Sequence, residues 1–510
     1  MRSSYDVVAV SSRLGTLFAA ALLAKRGFRV LVIRHDALPA LYGVGDLRLP
    51  RAPFNFTAAD TPIARRIFAE LALHQSFRQK AAVRDPAFQV VIPGHRFDLA
   101  AEPTDLVREL DREFPTVARA LEGFFARQAR LRAALDHALD QDLALPPSSF
   151  LERRAVTRAL RAVPPEDLVA ADPLREIPEE HPFRLVLHAP LRFSDAMDPD
   201  HAHGLRARRA FSNWCTGGAG FEGGSDAVRE LLFTCIRGHK GEVLDRDKID
   251  RIHVDARGVV QGVRLAASGE DVGGTYVLLG GDVASYVGML PDRRPFEELF
   301  ERTGEPVVRY YRYTLNLVVR REAVPTGMAR DVFLVRDPER PLAGPNCLHL
   351  ETHRADAHGR RTICVEALLP RRAVEEAGEY LQTLRESIVA TVAQVVPFLG
   401  ENLLWIDSPH DGRPARDVAR GQDVEPIERW ARGPKTMETV LGYPLTSTHG
   451  LTALPTRTPI ANLLLCNEQV VPGLGLEGTL LAAWSAARIV GRSDGRADTF
   501  RRGLFRWLGG

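Results

Sequence analysis

Two acidic residues stand beside glycine-rich stretches, where a carboxylate can act as an acid or a base. Glu222 lies within residues 217–224 and Glu477 within residues 472–478. The alternative is a surface or helix-capping role for both side chains. No spacing typical of metal ligands occurs among the histidines that we considered, namely His181, His188, His349, His353, His410 and His449. We therefore expect no metal site.

The composition is that of an ordinary globular protein. The chain has 510 residues, 67 Lys and Arg against 65 Asp and Glu, and 45% hydrophobic residues. This even charge balance argues against a dedicated nucleic-acid-binding protein. The five cysteines include no CxxC pair, the N-terminus lacks the pattern of a signal peptide, and no apolar run is long enough to cross a membrane. We expect a cytoplasmic protein.

The first 36 residues predict a strand, a helix and a second strand. Residues 5–10 and 28–33 are short apolar runs, and residues 17–24 are rich in Ala and Leu, with Gly27 placed to end the helix. A unit of this length at the start of a chain is typical of a doubly wound parallel sheet. The predicted fold class is therefore α/β, with a Rossmann-like domain.

The rest of the chain alternates between loop, strand and helix patterns. Residues 38–53 resemble a loop, residues 88–92 and 96–99 a strand pair, and residues 105–139 and 151–168 a helical cap. Further strands and helices are predicted at residues 226–237, 250–254, 259–265, 276–279, 311–319, 348–369, 373–396, 462–466 and 479–490.

Three segments in this order resemble the phytoene-desaturase-like branch of the FAD-dependent oxidoreductases, in the amine-oxidase superfamily. They are residues 5–32, residues 220–265 and the Pro-Gly-Leu-Gly-Leu-Glu-Gly run at 472–478. The resemblance implies a discontinuous FAD-binding domain of Rossmann type and an interleaved α+β substrate-type domain with a helical cap. The implied boundaries are 1–99, 215–295 and 455–495 for the first domain, 100–214 and 296–454 for the second, and 496–510 for a C-terminal tail.

The dinucleotide fingerprint of that family is degenerate in this chain. Aligned on the first strand, its three glycine positions hold Ser11, Arg13 and Thr16, and only the intervening Gly15 is a glycine. The fingerprint requires glycines for a tight turn, for close approach of the pyrophosphate and for packing of helix against strand. A long side chain at Arg13 would stand where phosphates normally meet backbone N–H groups.

Two further positions depart from the family pattern. Arg34 replaces the acidic residue that accepts hydrogen bonds from the ribose. A guanidinium cannot accept a hydrogen bond, so this contact is lost unless Asp36 takes over that role. Asn467 replaces an aspartate near the ribityl phosphate. If Arg13 and Arg34 both turn into the nucleotide site, they would form a small anion pocket.

The glycine-rich turn at 472–478 is intact, and the resemblance places the N-terminus of the following helix against a flavin. The alternative is a simple turn between strand and helix. The FAD-site positions that the resemblance implies, several of them degenerate, are Ser11, Arg13, Gly15, Thr16, Arg34, Ile249, Asn467, Gly473, Gly475, Leu476 and Glu477. No catalytic residue is assigned.

The resemblance and the departures from it leave two functions open. The first is a pseudoenzyme with weak or lost FAD binding, which binds a lipid, a polyene or another protein. The alternative is an active FAD-dependent desaturase or isomerase that acts on a long lipophilic substrate such as a carotenoid. The oligomeric state is left open.

Two apolar features bear on such a ligand. Trp405, Trp430, Tyr443 and Phe398 either line a lipophilic tunnel or pack in the core. Residues 500–508 place apolar side chains at helical spacing with arginines opposite, which is typical of a peripheral anchor for a membrane or a partner. A last helix docked on the chain's own core is the alternative for that tail.

Overall fold

The structure is a computed structural model. It describes residues 4–36, 38–168, 172, 174, 177–194, 204–216, 218–245, 247–376, 380–425 and 431–493.

The strands in these ranges, in chain order, are β1 (Ser4–Val10), β2 (Val30–Ile33), β3 (Leu41–Val44), β4 (Leu47–Pro50), β5 (Ala81–Val83), β6 (Phe88–Ile92), β7 (His95–Leu99), β8 (Ala219–Phe221), β9 (Glu242–Leu244), β10 (Ile249–Val254), β11 (Val260–Leu265), β12 (Asp271–Leu279), β13 (Val307–Arg320), β14 (Asp331–Val335), β15 (Cys347–Thr352), β16 (Arg360–Pro370), β17 (Leu403–Asp407), β18 (Ala415–Asp417), β19 (Gln422–Val424), β20 (Glu438–Gly442) and β21 (Leu463–Leu465).

The α-helices in the same ranges are α1 (Leu14–Lys25), α2 (Pro62–Leu71), α3 (His74–Lys80), α4 (Pro103–Glu113), α5 (Ala118–Leu139), α6 (Phe150–Ala159), α7 (Pro165–Leu168), α8 (Phe183–Ser194), α9 (Gly204–Cys215), α10 (Ser225–Gly238), α11 (Val283–Val287), α12 (Arg294–Thr303), α13 (Arg371–Glu375), α14 (Tyr380–Val392), α15 (Leu399–Asn402) and α16 (Gly475–Ser493). None of these helices has the length and hydropathy needed to cross a membrane.

The first sheet is the core of a Rossmann-like unit. Its strand order is β10-β11-β12-β1-β2-β9, with β21 paired to β12, and the contacts of β1 with β2 and with β12 are parallel. Residues 7–10 of β1 are fully buried, and ten residues of α1 are buried between this sheet and the helices α10 and α16. Such continuous burial is expected of a parallel sheet covered by helices, so the chain has the predicted α/β class.

The second sheet has ten strands in the order β19-β18-β17-β13-β16-β15-β14-β6-β7, with β20 paired to β13. The pairing of β13 with β16 is antiparallel over eleven residue pairs. Apolar side chains of α4, α5, α8 and α9 form one core with this sheet. The predicted domain boundary at residue 99 differs from this topology, because β6 joins β14 and the hairpin β6–β7 therefore lies in the second sheet.

Two local predictions differ from the structure for identifiable reasons. Residues 38–53 contain the hairpin β3–β4 rather than only a loop, with Gly45 at a positive φ of 56° in its turn and Tyr42 and Val44 buried. The helical pattern over 105–139 is divided between α4 and α5, because Pro115 disfavours the helical conformation at the residue before it.

Candidate functional site

The amino-terminal turn, residues 11–16, connects β1 to α1 and holds the degenerate fingerprint. Ser11 has a φ of 154°, a conformation that favours glycine. Its Oγ donates to the Asp36 carboxylate at 2.8 and 3.0 Å, and the Ser12 N–H donates to the same carboxylate at 3.0 Å. The Arg13 N–H donates to Ser11 Oγ at 2.9 Å. Backbone donors at the start of this turn are thus bonded to the chain's own side chains.

Arg13 turns inward and is paired with two carboxylates. Its guanidinium contacts Glu468, and its Nε lies 3.3 Å from Asp36 Oδ2. Attraction from Glu468 raises the pKa of Arg13 further, so this side chain is a fixed cation. Burial raises the pKa of Glu468, an effect that the Arg13 charge opposes.

Gly15 and Thr16 pack α1 against the strand end at Cys466. A Cβ atom at Gly15 would lie 2.9 Å from the Cys466 carbonyl oxygen, and Thr16 Oγ1 donates to that oxygen at 3.2 Å. The helix start therefore approaches the backbone too closely for a larger side chain at position 15. Both residues have a packing role in this structure.

Arg34 lies on the side of β2 that faces β9. Its Nη1 is 3.1 Å from Asp245 Oδ1, and its guanidinium carbon is 5.1 Å from the centre of the Phe233 ring. The condition for an anion pocket shared by Arg13 and Arg34 is not met, because Arg34 pairs with Asp245 whereas Arg13 pairs with Glu468 and Asp36.

Ile249 and Asn467 are also bonded within the chain. The Ile249 N–H donates to His35 Nδ1 at 3.0 Å, and burial lowers the pKa of His35. Asn467 donates through Nδ2 to the Gly281 carbonyl at 2.7 Å and accepts from the Gln469 N–H at 3.1 Å. Sequence reasoning did not identify this use of His35.

Tyr286 fills the space at the carboxyl ends of β1 and β12. It is buried, donates to the Val10 carbonyl at 3.1 Å and accepts from the Gly281 N–H at 3.0 Å. Its ring lies 5.6 Å from that of His35. This tyrosine was not among the predicted site residues, since no motif marks it.

The carboxy-terminal turn, residues 472–478, keeps its glycines for steric reasons. A Cβ atom at Gly473 would lie 2.6 Å from the Gly450 carbonyl oxygen. Gly475 adopts φ 54° and ψ −127°, a backbone conformation suited to glycine. Gly475 and Leu476 border a cavity, so this turn exposes a backbone with little side-chain cover.

Glu477 does not face that cavity. Its carboxylate accepts hydrogen bonds from Arg209 at 2.7 and 2.8 Å and from Asn213 at 3.1 Å, and all three residues are buried. Arg209 also contacts Asp136 at 2.6 Å. Neither the acid-base interpretation of Glu477 nor the surface or capping interpretation matches this arrangement, because its carboxylate is buried in an ion pair that joins α16 to α9. Glu222 is exposed and lies at a separate surface cleft.

The interdomain cavity lies between the carboxy-terminal turn and the second sheet and has a volume of about 280 Å³. One wall consists of Arg13, Glu468, Gly475, Leu476 and Thr479. The rest of the lining includes the aromatic and charged side chains of Phe193, Trp214, Arg312, His349, Glu366, Glu438 and Tyr443.

His349 is a buried cation at this cavity. Its Nε2 lies 3.0 Å from Asp331 Oδ1, and its Nδ1 lies 3.8 Å from Glu366 Oε2. Burial alone would lower the pKa of His349, but hydrogen bonds and attraction from the two carboxylates raise it to about 9. Arg312 donates to Glu366 at 2.9 Å, so the charges at this wall are paired.

The charged network continues away from the cavity through Arg84. This guanidinium contacts Asp331 and donates to Glu351 Oε1 at 2.7 Å. Sequence reasoning missed these residues, although one signal was present. Asp331, His349 and Glu366 interrupt or flank otherwise apolar strands, and a polar residue at a buried strand position needs a partner.

One of the residues that line the cavity, Trp214, has a side-chain donor without a hydrogen-bond partner within the described residues. The residue is buried and lines the cavity, and among the described residues its Nε1 has no hydrogen-bond partner. A buried N–H without a partner is costly, so a ligand with an acceptor at this point would be favoured.

The predicted aromatic tunnel is not formed by the residues proposed for it. Tyr443 borders the cavity, but Trp405 packs against the β3–β4 hairpin and Phe398 is 60% exposed. Trp430 and residues 496–510 lie outside the described residues. Within the described part of the chain, no group of three or more His, Cys, Asp or Glu side chains is arranged to hold a metal ion.

No protein-family model and no curated protein matches this sequence. Solved structures do match: an oxidoreductase from Methanosarcina mazei has a TM-score of 0.60 at 14% identity, with 94% of this chain and 99% of that chain covered. Putrescine oxidase bound to putrescine has a TM-score of 0.56 at 16% sequence identity, with 96% of this chain and 99% of that chain covered. Cyclohexylamine oxidase from Brevibacterium oxydans has a TM-score of 0.55 at 14% sequence identity, with 96% of this chain and 99% of that chain covered. The chain thus shares its fold with these solved structures, which confirms the predicted fold.

Proposed function

We propose that this chain is a pseudoenzyme of the oxidoreductase fold, with weak or lost FAD binding, that holds a small polar ligand in its interdomain cavity. One observation carries the proposal. The groups that a dinucleotide would have to contact at residues 11–13, 249 and 467 are hydrogen-bonded to the chain's own residues.

The residues at the amino-terminal turn do not fit a pyrophosphate. Two carboxylates, Asp36 and Glu468, flank this turn and would repel phosphate oxygens, while the one cation there, Arg13, is already paired with both. A charge-assisted hydrogen bond contributes about 1.5–3 kcal/mol. Losing two of them weakens binding by at least about 100-fold, which moves a nanomolar site towards micromolar.

The size of the cavity favours a small ligand over a long one. Its volume of about 280 Å³ is at the lower limit of ligand pockets, which range over about 300–1,000 Å³. Its lining includes Arg312, His349, Glu366 and Glu438 beside aromatic rings. A carotenoid or another long polyene requires a longer apolar channel than this cavity provides.

An active FAD-dependent oxidoreductase is the second candidate. It is supported by the intact turn at 472–478, whose Gly475 and Leu476 border the cavity, and by the likeness to solved oxidases. FAD, if bound, would supply hydride acceptance, and this chain would supply orientation and a partly enclosed site. This candidate requires that the ion pairs of Arg13 open when the cofactor enters.

The visible absorption spectrum of the protein purified without added cofactor separates these functions. We expect no flavin bands and no polyene bands, and a titration followed by FAD fluorescence should give micromolar or weaker binding. A stoichiometric flavin spectrum would overturn the pseudoenzyme proposal. Polyene bands would instead contradict the small, polar ligand class.

A variant with glycine at the three fingerprint positions tests whether the side chains there weaken FAD binding. Ser11→Gly/Arg13→Gly/Thr16→Gly combined with Glu468→Gln should bind FAD at least about tenfold more tightly than the parent, because the turn is cleared for phosphate and the carboxylate that Arg13 neutralised is removed with it. Arg257→Gly, an exposed arginine in the turn before β11, is the matched control and should leave the affinity unchanged. Equal FAD affinity for the restored variant and the parent would show that these side chains do not limit binding.

A further inference from the structure

Helix α6 presents two large apolar side chains to solvent. Phe150 is 69% and Leu151 74% exposed, while Val156 and Ala159 on the other side of the helix are buried in the first core. Exposed large apolar residues that adjoin each other, rather than occur singly, indicate a contact surface.

Three arginines continue the same face. Arg154, Arg158 and Arg161 follow Phe150 at intervals of four, eight and eleven residues, which places them on one side of the helix and of the turn that extends it. All three are exposed, and none makes an ion pair or side-chain hydrogen bond within the described residues. The single acid of α6, Glu152, is used in the capping box with Ser149.

We propose that this α6 face, made of Phe150, Leu151, Arg154, Arg158 and Arg161, docks the protein on a membrane surface rich in anionic lipids. The two apolar side chains would enter the boundary between headgroups and acyl chains, and the arginines would contact lipid phosphates. The proposal is independent of the ligand in the interdomain cavity, since none of these five residues borders it.

The chemistry of this face favours a lipid surface over a protein partner. Its apolar part consists of only two residues, whereas a stable protein interface covers about 800 Å² on each partner. Arginines without an acidic partner beside a short apolar edge instead match an interfacial helix, in which each basic residue strengthens binding to an anionic surface about fivefold. Binding should therefore be reversible and should weaken as salt is raised.

Vesicle co-sedimentation of the full chain tests this proposal. The protein should pellet with vesicles of equal parts phosphatidylcholine and phosphatidylglycerol and remain in the supernatant with phosphatidylcholine alone. Arg154→Glu/Arg158→Glu should lower the partition coefficient at least about tenfold, because each arginine at an anionic surface strengthens binding about fivefold. Phe150→Ser/Leu151→Ser should lower it as well.

Matched controls change equally exposed residues elsewhere. Phe398→Ser/Leu445→Ser removes side chains that are 60% and 56% exposed, and Arg119→Glu/Arg257→Glu reverses two exposed arginines on other elements. Both controls should bind vesicles like the parent. Circular dichroism and the thermal midpoint should verify that every variant is folded.

The C-terminal tail provides the competing explanation. A chain that lacks residues 496–510 should keep its binding to the phosphatidylglycerol vesicles. Binding that is lost with the tail but unaffected by Arg154→Glu/Arg158→Glu would overturn the proposal, as would equal binding to both vesicle types or no binding to either.

Discussion

The two turns that border the first sheet, residues 11–16 and residues 472–478, differ in how their backbone groups are covered. At the amino-terminal turn, the Ser12 and Arg13 N–H groups donate to the side chains of Asp36 and Ser11, and the Arg13 guanidinium pairs with Asp36. At the carboxy-terminal turn, Gly475 borders the cavity, and the carboxylate of Glu477 within the same turn is held in an ion pair with Arg209.

The two turns show that, in one fold, side chains of the chain can bond to the backbone N–H groups of one turn while the backbone of another turn stays accessible from the cavity. We call the first turn closed and the second open. Closure requires short polar side chains that reach backbone donors, and Ser11 and Asp36 supply them. An open turn requires glycine on the side that faces the cavity and a contact that fixes the turn in place, which is here the ion pair between Arg209 and Glu477. Substitutions at each turn, and across the cavity from them, can test both halves of this comparison.

The largest effect is expected at the anchor of the carboxy-terminal turn. Arg209→Ala leaves Glu477 buried without its main partner, and breaking a buried ion pair on one side costs about 3–5 kcal/mol. Urea denaturation should report this loss in the free energy of unfolding. Arg108→Ala removes an exposed pair with Asp105 within α4, and should cost no more than about 0.5 kcal/mol.

A pH-dependent effect is expected across the cavity, at His349. Its pKa is about 9 in the folded state and about 6.5 when unfolded, so the folded state binds this proton more tightly. The resulting stabilisation, about 3 kcal/mol, is complete below pH ~6.5 and is lost as pH rises through about 9.

His349→Gln removes this titration. Between pH 6 and pH 9.5, the free energy of unfolding should therefore fall by about 3 kcal/mol more in the parent than in the variant. Parallel pH profiles for the two proteins would contradict the assignment of a protonated histidine at the cavity.

The smallest effect is expected at the amino-terminal turn, where the two arginines should differ. Arg13→Ala leaves Asp36 and Glu468 without their shared cation and should cost about 1–2 kcal/mol, a value reduced because Arg13 is partly exposed. Arg34→Ala removes only an ion pair with the half-exposed Asp245 and the packing on the Phe233 ring, and should cost under about 1 kcal/mol. Thermal and urea unfolding of both variants measure the difference. A larger cost at Arg34 would mean that Arg13 does not hold the turn closed.

Much of the fold was predictable because local patterns dictate it. The apolar runs and the Ala-rich helix at the N-terminus predict β1, α1 and β2, and the structure has them. The β3–β4 hairpin was missed, since its burial depends on a distant contact of Tyr42 with Asp407, which lie 2.7 Å apart between side-chain oxygens. The hairpin β6–β7 was predicted, but its membership in the second sheet depends on pairing with β14, far along the chain.

The absence of glycine from three fingerprint positions and its presence at the carboxy-terminal turn can be read from residue types alone. The directions in which the side chains turn depend on contacts that form only when distant segments fold together. Arg13 faces inward because Glu468 and Asp36 attract it, whereas Arg34 faces Asp245, and each of these partners comes close only through folding. The His349 network has the same origin, since its charges lie on separate strands that the sheet brings together.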